Sequence, residues 1–109
     1  VVYVPNTTTG VEDDKDTRIT SFELEQNFPN PFNPSTKISF TLNEKTYVSL
    51  KVYNVIGKEV AVLAEGEKEA GVYNIDFNAA ELSAGVYFYT LASKNFKETK
   101  KMMLLEKVI

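Results

Sequence analysis

The chain has 109 residues, 43% hydrophobic and 25% charged, with a formal net charge of −3 and no Cys, His or Trp. That inventory removes disulfides, thiolate nucleophiles, imidazole bases and the usual zinc ligands, and a mildly negative chain has no electrostatic reason to bind nucleic acid or anionic membrane. The length suits one ordinary domain able to bury its own core, and catalysis is a poor fit to what remains.

Residues 1–20 read as a linker, with Val1–Val4 the tail of a preceding domain, because Pro5 to Thr20 shows neither helical nor alternating periodicity. The start of the chain shows no initiator Met, no signal-peptide pattern and nothing near the ~18–20 apolar residues of a membrane helix, so a fragment of something longer is expected, with any export signal upstream. Glu12, Asp13, Asp14 and Asp16 suggest a calcium loop, but the Gly and distal Glu of that pattern are missing and a solvated linker explains them better. Asn6-Thr7-Thr8 fits a glycosylation acceptor, whereas Asn33-Pro34-Ser35 is disqualified by its Pro.

From Phe22 the period becomes two. Glu23 and Glu25, two apart, would share a strand face, and a solvated face suits them better than an acid–base pair. Asn27 to Ser35 (NFPNPFNPS) is the most specific local feature: its prolines fix φ and hold the preceding residues extended. It reads as a stiff connection between two sheets with Phe28 and Phe32 anchored in the core, in preference to a binding loop presenting aromatics.

Ile38, Phe40 and Leu42, then Val48, Leu50 and Val52, then Tyr73, Ile75 and Phe77 alternate with polar neighbours, the mark of half-buried strands. Val60–Ala64 and Glu98–Glu106 could be helix or strand by periodicity, and turn spacing favours strands. Asn54-Val-Ile-Gly57 places Gly where a hairpin loop needs positive φ. Glu65-Gly66-Glu67 and Ala70-Gly71 are read as bracketing another turn.

Gly85 to Ala92 is apolar on both faces and suits a central strand. Tyr87, just inside it after the corner Leu82–Gly85, matches a tyrosine corner, in which the phenol bonds back to upstream backbone. Ala70-Gly-Val-Tyr73 and Ala84-Gly-Val-Tyr87 repeat a tetrapeptide, read as two entrances into neighbouring strands. Lys100 and Lys101 precede a closing apolar run, which reads as the last strand, open to partner recognition by strand addition if it lies at an edge. About seven short strands without a convincing helix predict an all-β, antiparallel β-sandwich.

NFPNPFNPSTKISFTL, VSLKVYNVIGKEVAVL, LSAGVYFYTL and KKMMLLE, in this order and spacing over about Phe22 to Lys107, closely resemble the type A carboxy-terminal sorting domain of the type IX secretion system. That family is also similar to the immunoglobulin-like domain of the flagellar hook-capping protein. The resemblance implies an immunoglobulin-like sandwich over residues 21–109, a non-catalytic export signal ending a larger secreted protein of Bacteroidetes-type bacteria. It implies two partners, the type IX outer-membrane translocon and a sortase-like peptidase, and passage through the periplasm to the cell surface or medium. By the same resemblance Gly85, Val86 and Tyr87 match the family's GVY motif. Lys100, Lys101, Met102, Met103, Leu104 and Leu105 match its terminal basic-then-apolar strand, and Asn27, Pro29, Asn30, Pro31, Phe32, Asn33 and Pro34 match its opening loop. Family cleavage falls in the preceding linker, here within about Asn6 to Ser21, and Val108 and Ile109 extend past the usual terminal motif. No catalytic residue, metal ligand or cofactor is expected. The alternatives are an accessory binding module, for polysaccharide, using Tyr47, Tyr53 or the loop aromatics, and a structural spacer related to the hook-capping domain.

Overall fold

A computed structural model describes residues 21–106. The linker with its acidic cluster, the acceptor Asn6 and the terminal Val108 and Ile109 therefore lie outside the described residues.

Seven strands follow one another: β1 Glu23–Leu24, β2 Ser35–Leu42, β3 Thr46–Tyr53, β4 Glu59–Lys68, β5 Gly71–Asn78, β6 Gly85–Ser93 and β7 Lys97–Leu104. They form a three-stranded sheet, β1-β2-β5, and a four-stranded sheet, β4-β3-β6-β7, with every ladder antiparallel. The chain crosses between sheets after β2, β4 and β5, the connectivity of an immunoglobulin-like sandwich. Among the described residues there is no helix, and so none long and apolar enough to cross a membrane.

The alternating residues explain the layering. Ile38, Phe40 and Leu42 of β2 and Val48, Leu50 and Val52 of β3 are fully buried and face each other across the two sheets. Leu24, Phe32, Phe77, Ala79, Tyr87, Tyr89, Leu91, Met102 and Leu104 join them in the core. Each such side chain, fully withdrawn from water, contributes roughly 1.5–3 kcal/mol, so the period-two pattern is also what holds the layers together. Gly85–Ala92 does lie centrally: β6 is hydrogen-bonded to β3 on one side and β7 on the other. Both ambiguous segments are strands. Val60–Ala64 sits inside the ten-residue β4, and the last strand starts at Lys97.

Three local expectations need correction. Gly66 is not in a turn: β4 runs through it, pairing Gly66 with Val48, and the chain turns only at Glu69-Ala70. Ladder hydrogen bonds to β3 outweigh the turn preference of an isolated Gly. The two Ala-Gly-Val-Tyr copies open β5 and β6, which lie in different sheets and are not neighbours. Phe28 is 81% exposed, while Phe32 is 1% exposed. Phe28 is bridged to Lys37 through Phe28 N–H to Lys37 O at 3.0 Å and Lys37 N–H to Phe28 O at 2.9 Å, which leaves its side chain on the outer side of the small sheet.

The tetrapeptide repeat has a shared physical meaning. Tyr87 Oη donates to Ser83 O at 2.6 Å and Tyr73 Oη donates to Glu69 O at 2.6 Å, each to the residue four positions upstream. The predicted tyrosine corner at Tyr87 is present, and Tyr73 forms a second one. Gly85 and Gly71 supply φ of +146° and +153° at the two corners, a backbone shape that L side chains rarely adopt.

Candidate functional site

The segments singled out by motif lie far apart in sequence and meet at one corner of the sandwich. The start of β6 pairs with the end of β7 in the register Gly85↔Leu104, Val86↔Met103 and Tyr87↔Met102. Pleating then sorts these residues by face. Tyr87, Met102 and Leu104 are buried, whereas Met103 and Leu105 are 42% and 45% exposed and Lys101 is exposed. Lys100 faces inward, half-buried and 3.2 Å from Glu98. An inward-facing ion pair on an edge strand discourages indiscriminate edge pairing.

The loop between β1 and β2 completes the corner. By chain order it joins two strands of the same sheet, yet it is hydrogen-bonded to the other one. Phe32 N–H donates to Met103 O at 3.0 Å and Leu105 N–H to Phe32 O at 2.8 Å, a parallel bridge along the outer edge of β7. Met103 N–H donates to Asn30 Oδ1 at 3.1 Å, Gln26 Nε2 to Lys101 O at 2.7 Å and Asn33 Nδ2 to Glu106 O at 3.3 Å. The expectation of a connection between the two sheets is thus corrected: the segment joins neighbouring strands of the small sheet and reaches the large one only through hydrogen bonds, because its Pro-rich backbone is held along β7. From the loop no main-chain hydrogen bond reaches Lys97 or Thr99 among the described residues; β1 approaches β7 instead, and the Phe22 ring lies 5.3 Å from that of Phe96 just before β7.

Rigidity comes from Asn27, which is 2% exposed. Its Nδ2 donates to Pro29 O at 3.1 Å and Thr36 Oγ1 at 3.0 Å, and its main-chain N–H donates to Tyr89 Oη at 2.7 Å. Thr36 Oγ1 donates onward to Pro29 O at 2.8 Å. The three X–Pro bonds at Pro29, Pro31 and Pro34 are cis. Phe32 plugs the corner from within, its ring 6.2 Å from that of Phe77. Tyr89 Oη also donates to Glu25 O at 2.6 Å, and burial pushes its phenol up to about 12, against the smaller opposing effect of the Asn27 amide.

Between loop and strand lies a cavity of about 200 Å³ lined by Asn30, Pro31, Val86, Lys101, Met102 and Met103. Small-molecule sites start at roughly 300 Å³, so this hollow suits a single partner side chain better than a cofactor. A group of three acidic side chains placed to hold a metal ion is absent among the described residues. The corner offers display, not reagents: Lys101, Met103, Leu105, Val86 and a stiff loop.

The other aromatics are dispersed. Tyr47 and Tyr53 share a face of β3 but stand six residues apart, about 20 Å at a strand's rise per residue, with Lys51 between them. Phe28 lies on the opposite sheet and Phe32 in the core, so these rings do not form one plane. Sequence reasoning missed Gln26 and Tyr73. Nothing local marks Gln26 as a ligand of Lys101, whereas the repeated tetrapeptide was a usable signal for Tyr73.

Residues 26–105 match the family model described as the secretion system C-terminal sorting domain, more than half of the chain. A search of curated proteins gives no match.

Proposed function

The chain belongs to the secretion system C-terminal sorting domain family, whose members are sorting signals and not catalytic domains, and we propose that it directs a larger cargo across the outer membrane through the type IX machinery. In this reading residues 21–109 are the recognised module and residues 1–20 are the linker to the cargo. The outer-membrane translocon contacts the corner built by Gly85–Tyr87, Lys100–Leu105 and the Asn27–Pro34 loop. The cargo passes through the periplasm and ends on the cell surface or in the medium, where a sortase-like peptidase cuts within the linker.

The observation that carries the reading is the convergence of three separate sequence motifs on one rigid corner, with Val86 paired to Met103 and Phe32 bridged to Leu104. Recognition would use shape: buried Tyr87, Met102 and Leu104 hold the strands, and exposed Lys101, Met103 and Leu105 touch the partner.

Fusion of the whole 109-residue chain to a periplasmic reporter, in a host with a type IX system, tests this. The reporter should leave the cell, and removal of Lys97–Ile109 should retain it. A reporter that stays periplasmic with the intact chain would refute the proposal.

A further inference from the structure

The hairpin between β3 and β4 carries an apolar tip that its own turn does not require. Asn54 and Gly57 build the turn: Asn54 N–H donates to Lys58 O at 2.9 Å and Gly57 N–H to Asn54 O at 3.0 Å. Asn54 Oδ1 accepts from Ile56 N–H at 3.1 Å and from Lys58 N–H at 3.0 Å, while Gly57 adopts φ of +84°. Val55 and Ile56 between them are 69% and 83% exposed. Polar residues and Gly are the usual turn formers, and a β-branched aliphatic gains nothing there from packing.

The tip also has a position. The β3–β6 register ends at Tyr53↔Phe88, so the chain continues from Tyr53 past Phe88 toward the level of Val86 and Gly85. These residues pair with Met103 and Leu104 on β7. The end of the sandwich that carries Lys101, Met103 and Leu105 therefore also carries Val55 and Ile56, half of the exposed large hydrophobics recorded among the described residues when Met103 and Leu105 are counted with them. Single exposed aliphatics are ordinary, but several gathered at one end of a domain mark an interaction surface.

We infer that Val55 and Ile56 belong to the surface by which the sorting domain engages its partner, an inference that rests on the function proposed above. The partner is a protein face with an aliphatic pocket for the tip and carboxylates beside it, matching Lys58 next to the tip and Lys101 on β7. A protein is favoured over a lipid surface because the charges at this end are mixed, Lys58 and Lys101 beside Glu59 and Glu106, which gives no net pull toward anionic headgroups, whereas a protein face can match both signs. The amides of Ile56, Gly57 and Lys58 are already hydrogen-bonded within the turn, which lowers the number of polar groups a pocket would have to satisfy.

The test uses the full chain fused to the reporter, with V55T/I56T beside a control, K101E/M103T, and thermal melts of each purified chain. The inference expects an unchanged melt for V55T/I56T and export lowered by about tenfold or more, the scale of one lost aliphatic contact. Export lost in the control but retained by V55T/I56T overturns the inference and leaves the proposed function standing. Export retained in both refutes the β7 corner as the recognition site, and the inference with it. Binding of the purified chain to phosphatidylcholine or phosphatidylglycerol vesicles, abolished by V55T/I56T, overturns the protein partner in favour of the membrane.

Discussion

The main-chain N–H of Asn27 donates to the hydroxyl of Tyr89 across 2.7 Å, tying the first residue of the loop beside the small sheet to the central strand of the large one. The same hydroxyl donates to Glu25 O, so one phenol satisfies two main-chain groups. Loop, terminal strand and core are thereby held in one arrangement.

Tyr89→Phe should therefore destabilise the domain by about 1–3 kcal/mol, the cost of leaving buried main-chain groups without a partner. Urea unfolding measures it. A change below about 0.5 kcal/mol would mean that the hydroxyl is replaceable, by water for instance.

Burial of the same phenol predicts an alkaline limit. The phenol is held at about 12 in the folded chain against an ordinary value of 10.0, so its folded-state pKa is raised. Its stabilisation is complete below the unfolded value near 10 and is lost as pH rises through about 12. Urea midpoints measured from pH 9 to 12.5 should fall over that window, and the fall should be smaller in Tyr89→Phe. Parallel falls in both proteins would assign the effect to other groups.

The two tyrosine corners should differ in weight. Tyr87→Phe and Tyr73→Phe each remove one hydrogen bond to an upstream carbonyl, worth about 0.5–1.5 kcal/mol. The Tyr87 bond is partly buried and anchors the central strand, whereas the Tyr73 bond is exposed. Tyr87→Phe should be the costlier change in a denaturant series, and the reverse order would show that the corner of the small sheet limits stability.

Stability and recognition should separate at adjacent methionines. Met102 is 1% exposed, so Met102→Ala should cost about 2–5 kcal/mol. Met103 points outward, so Met103→Ala should stay within about 0.5 kcal/mol yet reduce reporter export. Equal melting temperatures for the two variants would contradict the facing that the strand register imposes.

Much of the fold was legible because a strand with one wet face writes its burial into alternate residues. Ile38, Phe40, Leu42, Val48, Leu50 and Val52 could be picked out that way, and all are fully buried. Gly57 and Tyr87 were legible for a different reason: a positive φ and a corner hydrogen bond are local demands. Gly66 and Phe28 were misread because their environment comes from distant chain. A ladder to Val48 holds Gly66 in β4, and a bridge to Lys37 turns Phe28 outward.

The sequence by itself determined the all-β class, the strand-bearing segments, the absence of cysteine and histidine chemistry, and the family. Only the tertiary structure decided that Gly85–Tyr87 pair with Met102–Leu104, that the Asn27–Pro34 loop lies along β7, and that Met103 faces out while Met102 faces in. The physical reason is range: periodicity and turn chemistry are written over a few residues. Register and sheet order arise from hydrogen bonds and side-chain contacts between segments such as Gln26 and Lys101, separated by 75 positions.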